Sequence, residues 1–167
     1  MELRSEEHKT ELIKKLASRA RRRCAKAKAA GAARFVRQYY AQVAPHDLNG
    51  QPEDELLAAA ISAWEYAQSR PAGISKIRAF NPVSDKHGWD SAHTAIEIVH
   101  DDMPFLVDSV TAELNRYGLT VHTIIHPVIR VRRGKDGRLL AVLDQNGKNG
   151  AAAAPESIKH IEVNEQI

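Results

Sequence analysis

The spacing of apolar residues changes once along this chain, from three- and four-residue steps up to about residue 72 to alternation beyond it. Helical stripes and alternating strands bury their apolar sides in different ways, so the switch calls for helices packed with a sheet in an α+β fold. A first helix is expected from Glu6 to about Ala30, with Leu12/Ile13, Leu16, Ala20, Cys24 and Ala27 on one side and Gly31 ending or bending it. A second carries Phe35/Val36, Tyr39/Tyr40 and Val43 and stops at Pro45, with residues 46–51 as loop. Pro52-Glu53-Asp54-Glu55 is an acidic, proline-led start for a third, whose stripe is Leu56/Leu57, Ala60/Ile61, Trp64 and Ala67, closed by Arg70-Pro71-Ala72-Gly73.

Residues 74–80 and 93–99 then read as strands, the second with Thr94, Ile96 and Ile98 on one face. Asp101-Asp102-Met103-Pro104 is expected to start a helix, an aspartate capping its free amides. Leu106/Val107, Val110 and Leu114 continue it, and Gly118 closes it. Residues 119–126 and 128–133 are strand-like on either side of Pro127. Gly134-Lys135-Asp136-Gly137 is a hairpin turn returning through residues 139–143. Residues 147–155 read as a mobile low-complexity stretch, and 158–163 as a last strand. The division is a helical segment over residues 1–72 and an α+β domain over 73–167, an antiparallel sheet with a helix on one face.

Charge is uneven along the chain. Residues 1–40 hold twelve Lys/Arg against four Asp/Glu, or +8, and the other 127 hold twelve against seventeen, or −5. No apolar run approaches the roughly 18 residues of a membrane span, and the N-terminus lacks the apolar core of a secretion signal. Cys24 stands alone, so no internal disulfide or cysteine-cluster metal site forms, and a cytoplasmic setting is expected. The nine glycines contain no Gly-x-Gly-x-x-Gly, so no dinucleotide cradle is expected here.

One long string closely resembles the large NAD-specific glutamate dehydrogenases of bacteria. It runs through Phe80-Asn81-Pro82, Gly88-Trp89 and the stretch from His93 to Val110, then Leu114-Asn115-Arg116, Gly118 to His122, Ile125-His126-Pro127-Val128 and Arg130 to Arg133, with His160-Ile161-Glu162-Val163 near the end. The resemblance implies an ACT-like (ferredoxin-like) module, a βαββαβ unit that often binds amino acids, lying N-terminal to a distant catalytic portion. The full enzyme would convert L-glutamate, NAD and water to 2-oxoglutarate, ammonia and NADH. NAD would bind elsewhere in the parent chain, leaving this region without cofactor or catalytic residues. The expected partners are the rest of the parent chain, further copies in a homo-oligomer and an amino-acid effector, with no membrane. A βαββαβ unit also needs a second helix after its third strand. No helical pattern follows Leu139, so that helix is expected beyond Ile167.

The turn Asp101-Asp102-Met103-Pro104-Phe105-Leu106 is the candidate effector or interface site. ACT turns hold a ligand carboxylate on helix-start amides and carry glycine directly after the proline, where this chain has Phe105. A bulky ring there either fills the pocket or plugs into a neighbouring subunit, and a structural cap and interface is favoured over an amino-acid site. His122 and His126, four residues apart on an extended run, could meet His93, His100 or His160 around zinc, but no local metal motif supports this and a structural role is preferred. Lys14, Lys15, Arg19, Arg21, Arg22, Arg23, Lys26 and Lys28 could neutralise phosphates. They spread over several helix faces with no aromatic among them, so a solvated face, or an arm docked on an acidic surface, is preferred to nucleic acid. Arg130 and Arg132 share one strand face, either as a solvent-facing row or as an anion contact. The rival readings are a stand-alone amino-acid-sensing protein and a basic-helix nucleic-acid adaptor.

Overall fold

A computed structural model describes residues 2–145 and 153–166. Helix α1 spans Glu2–Arg23, α2 Ala29–Ala41, α3 Pro45–Leu48 and α4 Glu53–Tyr66. Strand β1 (Lys76–Phe80), the short α5 (Ser84–His87), β2 (His93–Asp101) and α6 (Leu106–Arg116) follow. The chain then runs through β3 (Val121–Ile125), β4 (Val128–Arg133), β5 (Leu139–Val142) and β6 (Ala154–Asn164). The architecture is α+β, N-terminal helices followed by an antiparallel sheet, as the change of period indicates. No helix among the described residues is long and apolar enough to cross a membrane.

The first helix breaks earlier than its pattern suggests. Arg21, Arg22 and Arg23 fill its last turn, where cations suit the helix dipole, and Lys28 N closes a turn on Ala25 O at 2.8 Å. Reversal there lets α1 and α2 pack side by side. One unbroken helix would carry Phe35 and Tyr39 far from Leu12 and Leu16. Gly31 is therefore neither stop nor bend but lies inside α2, where an added Cβ would sit 3.1 Å from the Trp64 ring. Pro45 likewise begins a helix, α3, at a first-turn position where its missing N–H costs nothing.

The sheet order is β1-β2-β6-β4-β5, with β3 also on β6. All pairings are antiparallel. The last strand of the chain is thus an inner one. Strands β3 and β4 lie end to end along β6, from Val121↔Val163 to Val131↔Ala154. Pro127 interrupts them because it has no N–H to donate, but its carbonyl still accepts from Ile158 N at 3.0 Å. Residues 147–152 of the expected mobile stretch lie outside the described residues, while Ala154 and Pro155 open β6.

Strand alternation gives the sheet two faces. Val99, Ile125, Ile129, Val131 and Ile158 join Leu16, Ala20, Phe35, Val36, Tyr39 and Trp64 of α1, α2 and α4 in one hydrophobic cluster. The opposite face carries Ile96, Ile98, Lys159, Ile161 and Val163, with α6 packed along β3. No residue of α6 is fully buried, so this side is more thinly covered than the helical side. No second helix follows β5 among the described residues; the chain proceeds to β6.

Candidate functional site

The turn after β2 differs from the expected aspartate cap. Asp101 is the last residue of β2, and its carboxylate accepts from Arg70 Nη2 at 2.5 Å. Asp102 is exposed and holds Pro155 O through its backbone N–H at 3.2 Å. Met103 and Pro104 are exposed, and Leu106 opens α6 half-buried. Phe105 takes the N-cap position with φ +61° and no side-chain cap, its carbonyl accepting from Ser109 N at 2.9 Å. Among the described residues it is the one non-glycine with positive φ. The left-handed region costs an ordinary residue about 1–2 kcal/mol, and Phe105 recovers little of that inside the fold, because its side chain stands 77% exposed. Among the described residues Phe105 therefore fills no pocket.

Beneath the turn, Arg70 and Glu156 form a buried pair at 2.9 Å, and Arg133 Nε donates to the same Glu156 oxygen at 2.7 Å. Burial alone would raise the Glu156 carboxyl, but hydrogen bonds from Arg133 and Arg70 hold it below the usual range. Arg133 reaches this pair because alternation along β4 places it on the face of Val131, while the register shift beside it is taken up on β5 at Leu140. Ile129 and Val131 are buried as alternation predicts, with Arg130 and Arg132 on the other face. Arg70 also donates to Ile74 O at 3.0 Å, so one guanidinium joins the turn, the central strand and the α4–β1 connection. On the α6 face, Lys159 is fully buried and bonds Ser157 Oγ. Burial lowers its pKa, and the charge of Asp102 partly opposes that.

The histidines divide into two groups. His126 is exposed, and His100 Nδ1 contacts Asp101 O at 2.6 Å. His93, His122 and His160 gather at the other end of β2, on the helical face. His93 stacks on His122 with ring centroids 4.1 Å apart. His160 is buried between Glu97 (Nδ1 to Oε1, 3.4 Å) and Glu162 (Nε2 to Oε1, 3.1 Å). Burial alone would lower its pKa, but the two carboxylates overcome this and push it up to about 9. Glu162 also meets His93 Nδ1 and Ser91 Oγ, each at 3.2 Å. Glu97 and Glu162 were not among the sequence candidates. Their one signal is a carboxylate placed in otherwise apolar alternating runs. Among the described residues no three His, Cys, Asp or Glu side chains are arranged to hold a metal ion.

The basic helix is partly engaged within the chain. Lys15 pairs with Glu53 at 2.7 Å, while Arg19 contacts Glu53 and Asp54, at the acidic start of α4. Arg21, Arg22 and Arg23 remain exposed.

Comparison with known proteins gives one consistent answer. The family model described as "Glutamate dehydrogenase, ACT1 domain" matches residues 35–167. The NAD-specific glutamate dehydrogenase of Halomonas elongata is 42% identical over 158 residues, spanning 95% of this chain and 10% of that protein. That of Pseudomonas aeruginosa is 36% identical over 129 residues, spanning 77% of this chain and 8% of that protein. The chain thus spans about a tenth or less of the length of these curated relatives. No solved structure matches it.

Proposed function

The chain belongs to the glutamate dehydrogenase ACT1 domain family, and on that premise we propose that it is the non-catalytic N-terminal regulatory and assembly region of a longer NAD-specific glutamate dehydrogenase. The whole enzyme oxidises L-glutamate with NAD and water to 2-oxoglutarate, ammonia and NADH in the cytoplasm, with NAD held outside this region. Residues 1–72 form a helical layer that backs an ACT-like unit over residues 73–167.

The single observation that carries the assembly role is Phe105, a large apolar side chain held at positive φ yet left in solvent. A strained conformation persists when something repays it, and contacts among the described residues do not. Met103, 45% exposed, adds apolar surface two residues away. The turn Asp101–Leu106 is accordingly a contact point for a second copy or for the remainder of the enzyme. Arg70 transmits its position to the helical layer through Asp101 and Glu156. An amino-acid effector acting there must bind two enzyme states unequally.

The test is made on the full-length enzyme and on the 167-residue chain. Glutamate-dependent NAD reduction is expected from the first and not from the second. Sedimentation velocity should show self-association that Phe105→Gly weakens, and a thermal-shift screen with the twenty amino acids should reveal any effector. Unaltered association in the variant would sink the interface role, and NAD reduction by the short chain would sink the non-catalytic one.

A further inference from the structure

The sheet ends in β1 on one side and in β3 and β5 on the other. An edge strand turns every second N–H and C=O outward, ready to pair with another strand unless something blunts it. On the far side both edges are blunted. Strand β3 bulges at His122, whose ring stacks on His93. Strand β5 is four residues long, slips register at Leu140, and lies under α2, with Arg34 Nη1 on Val142 O at 3.4 Å and Gln38 Nε2 on Leu143 O at 2.8 Å. The β1 edge has none of these devices. Its register is regular from Lys76↔Val99 to Phe80↔Ala95, and it contains no proline. Among the described residues its outward backbone groups have no partner in the protein.

The side chains of β1 divide by chemistry between its two faces. Lys76 and Arg78, opposite Val99 and Glu97, lie on the helical face, while Ile77 and Ala79, opposite Ile98 and Ile96, lie on the α6 face. A charge projecting from the edge would deter a further strand, but both cations fold back over the Tyr66 ring. Lys76 Nζ donates to Tyr66 O at 2.6 Å, and Arg78 Nε donates to Glu97 at 2.6 Å. Ile77 is left 62% exposed, with Ile74 57% exposed just before the strand. The helical face at this edge also carries surplus positive charge. Glu97 answers Arg78, but among the described residues Lys76 has no carboxylate partner. Burial, and then the charges of Arg78 and Arg133, lower its pKa.

We propose that β1 receives an added strand from the part of the parent enzyme outside this chain, an extended segment with apolar residues beside Ile77 and a carboxylate facing Lys76. This rests on the reading of the chain as a piece of a longer enzyme, since it matches only 10% and 8% of two curated relatives. Main-chain hydrogen bonds hold such a strand, and the alternating side chains select it. A second copy of β1 fits worse. No Asp or Glu occurs between Arg70 and Ser84 to meet Lys76, and the cations of the two copies would face one another. The contact uses no residue of the Asp101–Leu106 turn.

The experiment is hydrogen–deuterium exchange on the full-length enzyme and on the 167-residue chain, read by mass spectrometry. The fast-exchanging amides of residues 74–81 in the short chain are expected to slow at least about tenfold in the enzyme. Ile77→Lys, at an exposed position, should restore fast exchange in the enzyme and leave thermal unfolding of the short chain unchanged. Lys76→Glu should restore it too; if that variant fails to fold, Lys76→Gln and Ile77→Lys carry the test. Carbodiimide coupling of the enzyme should join Lys76 to an Asp or Glu outside these 167 residues. Equal exchange in the two proteins, protection that survives Ile77→Lys, or no coupling to such a residue would overturn the proposal. Protection that appears in the short chain as its concentration rises would overturn it in favour of a second copy. Failure of the parent reading shows separately, as NAD reduction by the short chain.

Discussion

Raising the pH from 6.5 to 9.5 is expected to remove a large part of this protein's stability through one side chain. His160 faces Glu97 and Glu162 through its two ring nitrogens, and both can donate only when the imidazole is protonated. Its pKa rises from an ordinary 6.5 to about 9 in the fold. Between those values the folded chain holds a proton that the unfolded chain has released. The stabilisation is therefore fully present below pH 6.5 and lost as the pH climbs through 9. The interval corresponds to about 3 kcal/mol, against a total of roughly 5–15 kcal/mol for a typical domain. The assay is urea unfolding followed by tryptophan fluorescence, for the native chain and for His160→Gln. Lys159 titrates with the opposite sign, since burial lowers its pKa and stability is regained as pH rises towards its ordinary value. That contribution is common to both proteins and drops out of the difference. The native chain should lose about 3 kcal/mol relative to the variant across the interval. A difference curve flat to within about 1 kcal/mol from pH 6.5 to 9.5 would refute the charge assignment.

Other perturbations test separate parts of the structure. Glu156→Gln leaves Arg70 and Arg133 buried without their carboxylate and should cost about 3–5 kcal/mol, read as a lower urea midpoint with unchanged slope. Phe105→Gly relieves the positive φ and removes little buried area, so chemical unfolding should place it within about 1 kcal/mol of the native chain, where a packed phenylalanine would lose about 3–5 kcal/mol on truncation to alanine. Gly137→Ala puts a Cβ 2.4 Å from the Arg70 carbonyl oxygen at φ +81°; thermal unfolding should show a loss of at least about 1–3 kcal/mol, and no loss would mean the hairpin is not docked there. Arg19→Ala breaks exposed pairs with Glu53 and Asp54, and its cost should stay near or below about 1 kcal/mol.

The sequence by itself determined the order and kind of the main elements. Apolar steps place α2 and α4, alternation places β1 to β4, and the Gly118 and Gly134–Gly137 signals close α6 and the β4–β5 hairpin where they were expected. Such patterns are local, because a helix stripe or a pleat repeats within a few residues. The family resemblance was also legible, since its residues form a nearly continuous string from Phe80 to Arg133. Tertiary structure decided everything that joins distant segments. Gly31 looks like a helix stop until Trp64, 33 residues later, is seen to need its space. Arg133 falls on the face of Val131 by alternation, but only the pairing of β4 with β6 brings it to Glu156. Phe105 shows its strain only in the backbone. The cluster of His93, Glu97, His122, His160 and Glu162 spans 69 residues, so its members meet only because β6 inserts beside β2 and β3. Local periodicity tells each side chain which way to face; the pairing of strands decides what it faces, and with it which buried charges find a partner.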